Sequence, residues 1–251
     1  MFAVSSPEII VLHFASILRY ARVLLALSWL WVGLAAAPAT AQPSRHMEAS
    51  IHAQSADPAP GKTTRLAIRM VPEAGWHGYW TNPGDSGLSV EADWSLPPGV
   101  KIGSLEHPAP TLLRLAGLAS YVHKGAFTLL ADLTVDKSVA PGTVLPIRAQ
   151  LSWLVCSDTL CVPESANFEL RLIAGKGTPA ASSRALFTAA EAALPRRGAA
   201  MAGVTGGAGQ WTFAITGAGN LDAGRARLYP AESGWFDAGA AQSVSRRADG
   251  A

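Results

Sequence analysis

The chain has 251 residues, of which 49% are hydrophobic and 15% charged, with a formal net charge of +2. This composition excludes a disordered chain, and scattered basic residues without interleaved aromatics exclude a nucleic-acid partner. The length allows one or two domains, and the 24 glycines and 17 prolines favour turns and short strands over long helices.

Residues 1–41 have the pattern of an export signal. Arg19 and Arg22 precede an uncharged apolar run, Val23 to Ala37, and Ala39-Thr40-Ala41 offers small residues for cleavage after Ala41. The alternative is an uncleaved anchor, but the run is shorter than the roughly 20 residues that span a bilayer. The apolar segment Ile9 to Leu18, ahead of the arginines, is atypical for a signal. The mature chain is expected to begin near Gln42, outside the cytoplasm, where disulfides persist.

Residues 42–61 are polar and proline-rich, with an edge strand expected around Ala49 to Gln54. Thr64 to Met70 alternates, with Leu66, Ile68 and Met70 on one face and Arg65 and Arg69 on the other. Trp76 to Trp80 is aromatic and strand-like, and Asn82-Pro83-Gly84-Asp85-Ser86-Gly87 is a dense turn signal. Short strands are expected at Val90 to Leu96 and Val100 to Leu105. Phe127 to Val135 alternates with Phe127, Leu129, Ala131, Leu133 and Val135 inward. Ile147, Ala149, Leu151, Trp153 and Val155 make the longest alternating face, and Phe168, Leu170 and Leu172 one more strand.

No helical pattern lies between these strands, so a parallel α/β fold is excluded and an all-β, immunoglobulin-like antiparallel β-sandwich is expected over 42–175. Ser182 to Leu194 reads as a helix with Ser182 or Ser183 as N-cap and Pro195 as its stop. It falls in a segment, 176–210, read as a linker with a short surface helix, flexible from Gly198 to Gln210. Residues 211–251 read as a partial second β domain, with strands at Trp211 to Ile215, Arg225 to Tyr229 and Ala241 to Ser245. Too few residues remain for an independent sandwich of roughly 100.

The only two cysteines, Cys156 and Cys161, close the longest alternating run and are separated by four residues. Strand parity turns Cys156 away from the core face, towards an expected accessible side. A hairpin loop at Ser157 to Leu160 brings Cys161 opposite it, within disulfide range. Three readings stay open on spacing: a structural staple, a redox couple or a metal clip. A staple over so short a loop removes only about 2 kcal/mol of chain entropy. Zinc needs two further ligands, and His77, His107 and His123 lack ligand spacing, so no metal and no cofactor is expected. The pair also lacks the C-x-x-C spacing of a thioredoxin active site. The candidate surround is Trp76, His77, Tyr79, Trp80, Asp85, Trp153 and Asp158, against the plainer reading that the aromatics are core. Asp158 either raises a neighbouring thiol's pKa or caps the turn. Glu164 reads as a solvated loop charge.

Three segments carry a resemblance: Gly75-Trp76-His77-Gly78-Tyr79-Trp80-Thr81-Asn82-Pro83-Gly84-Asp85-Ser86-Gly87-Leu88, His107-Pro108-Ala109-Pro110, and Trp153-Leu154-Val155-Cys156 through Cys161-Val162-Pro163-Glu164. With these, the chain resembles the N-terminal periplasmic domain of the DsbD/ScsB family of protein-disulfide reductases over roughly residues 46–250. Leu228-Tyr229-Pro230 is similar to the family's second segment. Gly117 to Gly125 departs from the family's Gly-Tyr-rich segment, with Tyr121 as the corresponding residue. The resemblance implies an immunoglobulin-like domain in the periplasm, whose reversible Cys156/Cys161 disulfide takes electrons from a membrane-embedded domain, in cis or in trans. It also implies that this pair reduces thioredoxin-like or client proteins carrying disulfides. The alternative is a non-enzymatic β-sandwich that binds or assembles with a partner, with a structural disulfide.

Overall fold

The computed structural model describes residues 45–196, 198, 201–207, 209–217, 222, 224–234 and 236–246. The expected export signal lies outside these residues. The fold is an all-β, immunoglobulin-like antiparallel sandwich. Its first sheet has the order β1-β2-β8-β5, with β1 at Met47–Ala53, β2 at Thr63–Pro72, β5 at Val100–Ile102 and β8 at Phe127–Val135. Its second has the order β10-β9-β4, with β4 at Glu91–Ser95, β9 at Val144–Cys156 and β10 at Cys161–Ile173. A third, three-stranded sheet, β3-β7-β6, is built from Gly78–Gly84, Leu118–His123 and Thr111–Leu115.

The alternating residues do what their period dictates. Ile68, Met70, Phe127 and Leu129 from the first sheet meet Ala149, Leu151, Trp153 and Val155 from β9 in one buried cluster. Leu66, Leu133, Val135, Leu145 and Ile147 continue the core towards the other end. Each strand turns every second side chain inward, so apolar alternation on both sheets fills one shared layer. β9 and β10 pair without interruption from Cys156↔Cys161 to Val144↔Ile173. This unbroken register fixes which side chain faces which.

Several expectations change. Ala67 and Leu130, on the outer face of the first sheet, are also buried, because Phe187 and Ala190 of α1 (Arg184–Ala193) lie on them. The helix expected on a linker therefore has one face docked on the sandwich. Ser183 stands at its N-cap without a side-chain cap bond. Its hydroxyl donates instead to Ala53 O, at 2.9 Å. Gly198 to Gln210, expected to be flexible, contributes β11 (Met201–Gly207), which pairs with β12 (Gln210–Thr216) in an exposed hairpin. Arg225 to Tyr229 and Ala241 to Ser245 form no strands. Leu228 N–H donates to the Gln242 side chain and Leu228 O accepts from it, so the bonds a sheet would supply come from an amide.

Replacing Phe187 with Ala should strip the cover from Ala67 and Leu130 and cost about 3 kcal/mol, in the range for a buried aromatic. A urea unfolding curve checks this, and a midpoint unchanged from wild type would show that the helix adds nothing to the sandwich.

Candidate functional site

The cysteines lie where β9 outruns β4. The β4 pairing covers β9 only from Arg148 to Ser152, and the last residues of β9 extend past it. His77, just ahead of β3, takes the place beside Cys156. Its N–H donates to Cys156 O at 2.8 Å, and Cys156 N–H donates to His77 O at 3.1 Å. On the other edge, Cys161 opens β10 directly opposite Cys156. Opposed residues in antiparallel strands share a face, so His77, Cys156 and Cys161 form a row across three strands.

The two cysteines form a disulfide with Cα atoms 4.1 Å apart. That is near the roughly 4.5 Å of a non-hydrogen-bonded antiparallel pair, as expected one step before Ser157, whose N–H donates to Leu160 O at 2.8 Å. The turn is capped by Ser157, whose Oγ accepts from Thr159 N–H and Leu160 N–H. The capping role weighed for Asp158 thus falls to Ser157, because a side-chain oxygen at the first turn position reaches both amides ahead of it. Asp158 is exposed in the loop.

Burial of the two cysteines is unequal, and this corrects the accessible side expected for Cys156. Parity does turn Cys156 away from the sandwich core, but the third sheet covers that side. Cys156 is 1% exposed and packs with Tyr79, Val122, Leu113 and Leu154. Cys161 is exposed, beside Leu160 at 54% exposure. Strand periodicity says which way a side chain points and not what a later segment lays over it. The covering strands β6 and β7 gave no clean alternation, since every residue from Ala119 to His123 is buried.

The predicted surround separates into two groups. His77 and Tyr79 lie at the disulfide. Their rings meet edge to face at 5.4 Å, and Tyr79 touches the Cys156 cluster. Gly87, with φ of 107°, leaves room for Tyr79, since a Cβ there would collide with the phenol ring. Burial pushes the Tyr79 phenol up. Burial pushes the His77 imidazole down, the Asp158 charge opposes this, and the Lys124 charge adds to it. The other predicted residues face elsewhere. Trp76 stacks on His46 at 3.7 Å. Trp80 joins Tyr121, Tyr229, Ala119 and Ala238 on the opposite face of the third sheet. Asp85 closes the β3–β7 connection, its carboxylate accepting from Ala119 N–H at 2.8 Å. Trp153 is in the core, its Nε1–H donating to Glu164 at 3.2 Å.

Glu164 is no solvated loop charge. It lies on β10 and also accepts from His46 N–H and Met47 N–H, which ties the start of β1 to the second sheet. Sequence reasoning missed Leu113, Val122 and Leu154 at the disulfide, since nothing local marks an aliphatic residue as the cover of a distant sulfur. Among the described residues no three His, Cys, Asp or Glu side chains gather in a way that could hold a metal ion. His107 and His123 do approach one another, ring centroids 6.3 Å apart, and His123 stacks on Phe127 at 4.3 Å.

A β-sandwich with a hairpin disulfide at one end, one cysteine buried and one exposed, is the class that fold and site define. The family model for the N-terminal region of the thiol:disulfide interchange protein DsbD matches residues 47–172. The chain belongs to that family, and the Cys156–Cys161 pair at disulfide distance fits thiol–disulfide exchange. Among solved structures it is similar to the N-terminal periplasmic domain of ScsB from Proteus mirabilis, with 16% identity, a TM-score of 0.48 and coverage of 69% of this chain and 78% of that one. It is also similar to the reduced DsbD N-terminal domain of Neisseria meningitidis, with 12% identity, a TM-score of 0.33 and coverage of 55% and 92%. The complex between the DsbD and PilB N-terminal domains of the same organism matches at 13% identity and a TM-score of 0.34, covering 57% of this chain and 94% of that one. No curated protein matches the chain.

The buried histidines make stability depend on pH. Burial pushes His107 and His123 down to about 4, His123 also through the neighbouring His107 charge. Both are neutral in the fold near pH 7 and charge more readily when unfolded. Their contribution is therefore complete above pH 6.5 and is lost as pH falls towards 4, at a cost of up to roughly 3 kcal/mol for one ring. Melting temperatures between pH 7 and pH 4 should fall more steeply for the wild type than for His107→Leu or His123→Leu. Parallel slopes would remove the histidines as the cause.

Proposed function

We propose that the chain is a periplasmic thiol–disulfide exchange domain that passes reducing equivalents to disulfides of exported proteins through Cys156 and Cys161. The observation that carries this reading is the unequal burial of the two cysteines in a domain of the DsbD N-terminal family. A staple needs neither sulfur exposed. An exchange centre needs at least one cysteine that a partner can reach.

The chemistry assigns roles by access. In the reduced form the Cys161 thiolate attacks one sulfur of the client disulfide, and the client's other sulfur leaves as a thiolate. The Cys156 thiolate then attacks Cys161 Sγ in the mixed disulfide. The Cys156–Cys161 bond forms and the client's second thiolate departs. Two electrons pass to the client and the leaving thiolates take up two protons. His77 and Tyr79 border Cys156, Trp153 anchors the strand that carries it, and Trp76, Trp80 and Asp85 brace the segments around the covering sheet. Asp158 stands in the loop between the cysteines.

The exchange unit is assigned to residues 42–175, with residues 176–210 and 211–251 as segments appended to it. Residues 1–41 direct export to the periplasm. Among the described residues no helix is long and apolar enough to cross a membrane. Re-reduction falls to a DsbD-type membrane domain, in cis or in trans. The partners on the oxidised side are thioredoxin-like or other disulfide-bearing proteins, in keeping with the DsbD–PilB complex among the similar structures.

Equilibration across a series of glutathione redox buffers, followed by alkylation and mass measurement, should show one reversible two-electron step at Cys156/Cys161. Absence of that step would end the proposal. In the reduced protein, Cys161 should react with iodoacetamide at least about 10-fold faster than Cys156, since reactivity follows thiolate character and exposure. Equal rates would remove the assignment of roles.

A further inference from the structure

Resting on the exchange reading, we infer that His77 is the group that exchanges a proton with the Cys156 thiol when the mixed disulfide is resolved. Cys156 must act as a thiolate to attack Cys161, yet it lies among Tyr79, Val122, Leu113 and Leu154. A thiolate in such surroundings is disfavoured by desolvation. The attack therefore needs a neighbour that takes the proton as the charge forms.

His77 is placed for this by the backbone. Its two hydrogen bonds with Cys156 make the residues a directly opposed pair. Opposed side chains leave the strands on one face with Cβ atoms about 4.5–5.5 Å apart, a gap an imidazole spans. His77 is 4% exposed, so bulk water competes poorly for the position.

The other ionisable groups facing this point do not fill the role. Tyr79, on the same strand face, is held neutral by burial and is a donor near pH 7. Asp158, across in the hairpin loop, and Lys124, just past β7, act on the ring by charge. Burial keeps the His77 ring neutral and so able to accept a proton; against this Asp158 favours the imidazolium, and Lys124 disfavours it. An imidazole is the side chain whose ordinary titration lies nearest to neutrality. The step balances: the proton leaves Cys156 Sγ for a ring nitrogen of His77, the sulfur electron pair attacks Cys161 Sγ, and the client sulfur leaves with the electrons of the broken bond. The departing thiolate then takes a proton from solvent, and His77 returns its own to solvent.

The test uses the full chain, reduced and then mixed with oxidised glutathione between pH 5 and pH 9. Acid-quenched samples are followed by mass. In His77→Gln the glutathione adduct should accumulate, with its resolution slowed on the order of 100-fold, the low end for a positioned proton acceptor. The inflection that His77 gives the wild-type profile should disappear, leaving a rate that keeps rising with pH as solvent alone deprotonates Cys156. In a Cys156→Ser background, which reports only attack by Cys161, His77→Gln should leave the rate unchanged. Resolution at the wild-type rate with the wild-type pH profile would overturn the inference while leaving the exchange reading intact. A wild type that forms no adduct and no reversible disulfide would overturn both. Should His77→Gln fail to fold, the wild type decides by NMR. The His77 ring should titrate differently in the reduced and oxidised proteins, since Cys156 carries a proton in only one of them. Identical titrations would overturn the inference.

Discussion

The pairing of His77 with Cys156 decides what kind of disulfide this protein has. Two backbone hydrogen bonds, 2.8 and 3.1 Å long, attach the start of β3 to the last residue of β9. Through that junction the β3-β7-β6 sheet is drawn alongside the sandwich, and its apolar side chains close over one sulfur. Without the junction, β9 and β10 would end in an ordinary surface hairpin with both sulfurs open to water. With it, the cross-link has an inside and an outside, although its two cysteines are only four residues apart.

The sandwich supplies the rigidity that this asymmetry needs. Β-pairing runs the full length of β9 and β10. Trp153, three residues before Cys156, is held both by the core and by its bond to Glu164. That carboxylate also accepts from His46 N–H and Met47 N–H, so one side chain joins the start of β1 to the strand that carries Cys161. A side chain fixed on several sides loses its freedom once, during folding, and adds no further ordering cost when a partner arrives.

Much of this was legible in the sequence because it depended on period. The inward faces of β2, β8 and β9 follow from alternation alone, and the buried residues at Leu66, Leu129 and Leu151 are the ones that alternation selects. The hairpin placing Cys161 opposite Cys156 followed from loop length. What was hidden depended on packing between distant segments. β7 is buried on both faces, so it shows no alternation and passes for irregular chain. Glu164, read from its neighbour Pro163 as loop, is a strand residue that accepts from Trp153 and from two amides more than a hundred positions upstream. Trp76 to Trp80 reads as one aromatic group, but a strand sends neighbours to opposite sides. Tyr79 therefore meets the disulfide while Trp80 meets Tyr121 and Tyr229.

The brevity of the Cys156–Cys161 loop separates two quantities that many disulfide proteins keep linked. Opening so short a loop returns only about 2 kcal/mol of chain entropy to the unfolded state, and the strands beside it are paired out to Val144 and Ile173, far beyond the cross-link. The architecture is thus nearly indifferent to whether the pair is oxidised. How readily the disulfide is reduced depends instead on what surrounds its two cysteines: Cys161 is exposed, and Cys156 lies among Tyr79, Val122, Leu113 and Leu154. Mutational drift in the sandwich core then acts on how long the molecule lasts, while a change in the few side chains over Cys156 acts on how readily this disulfide is reduced.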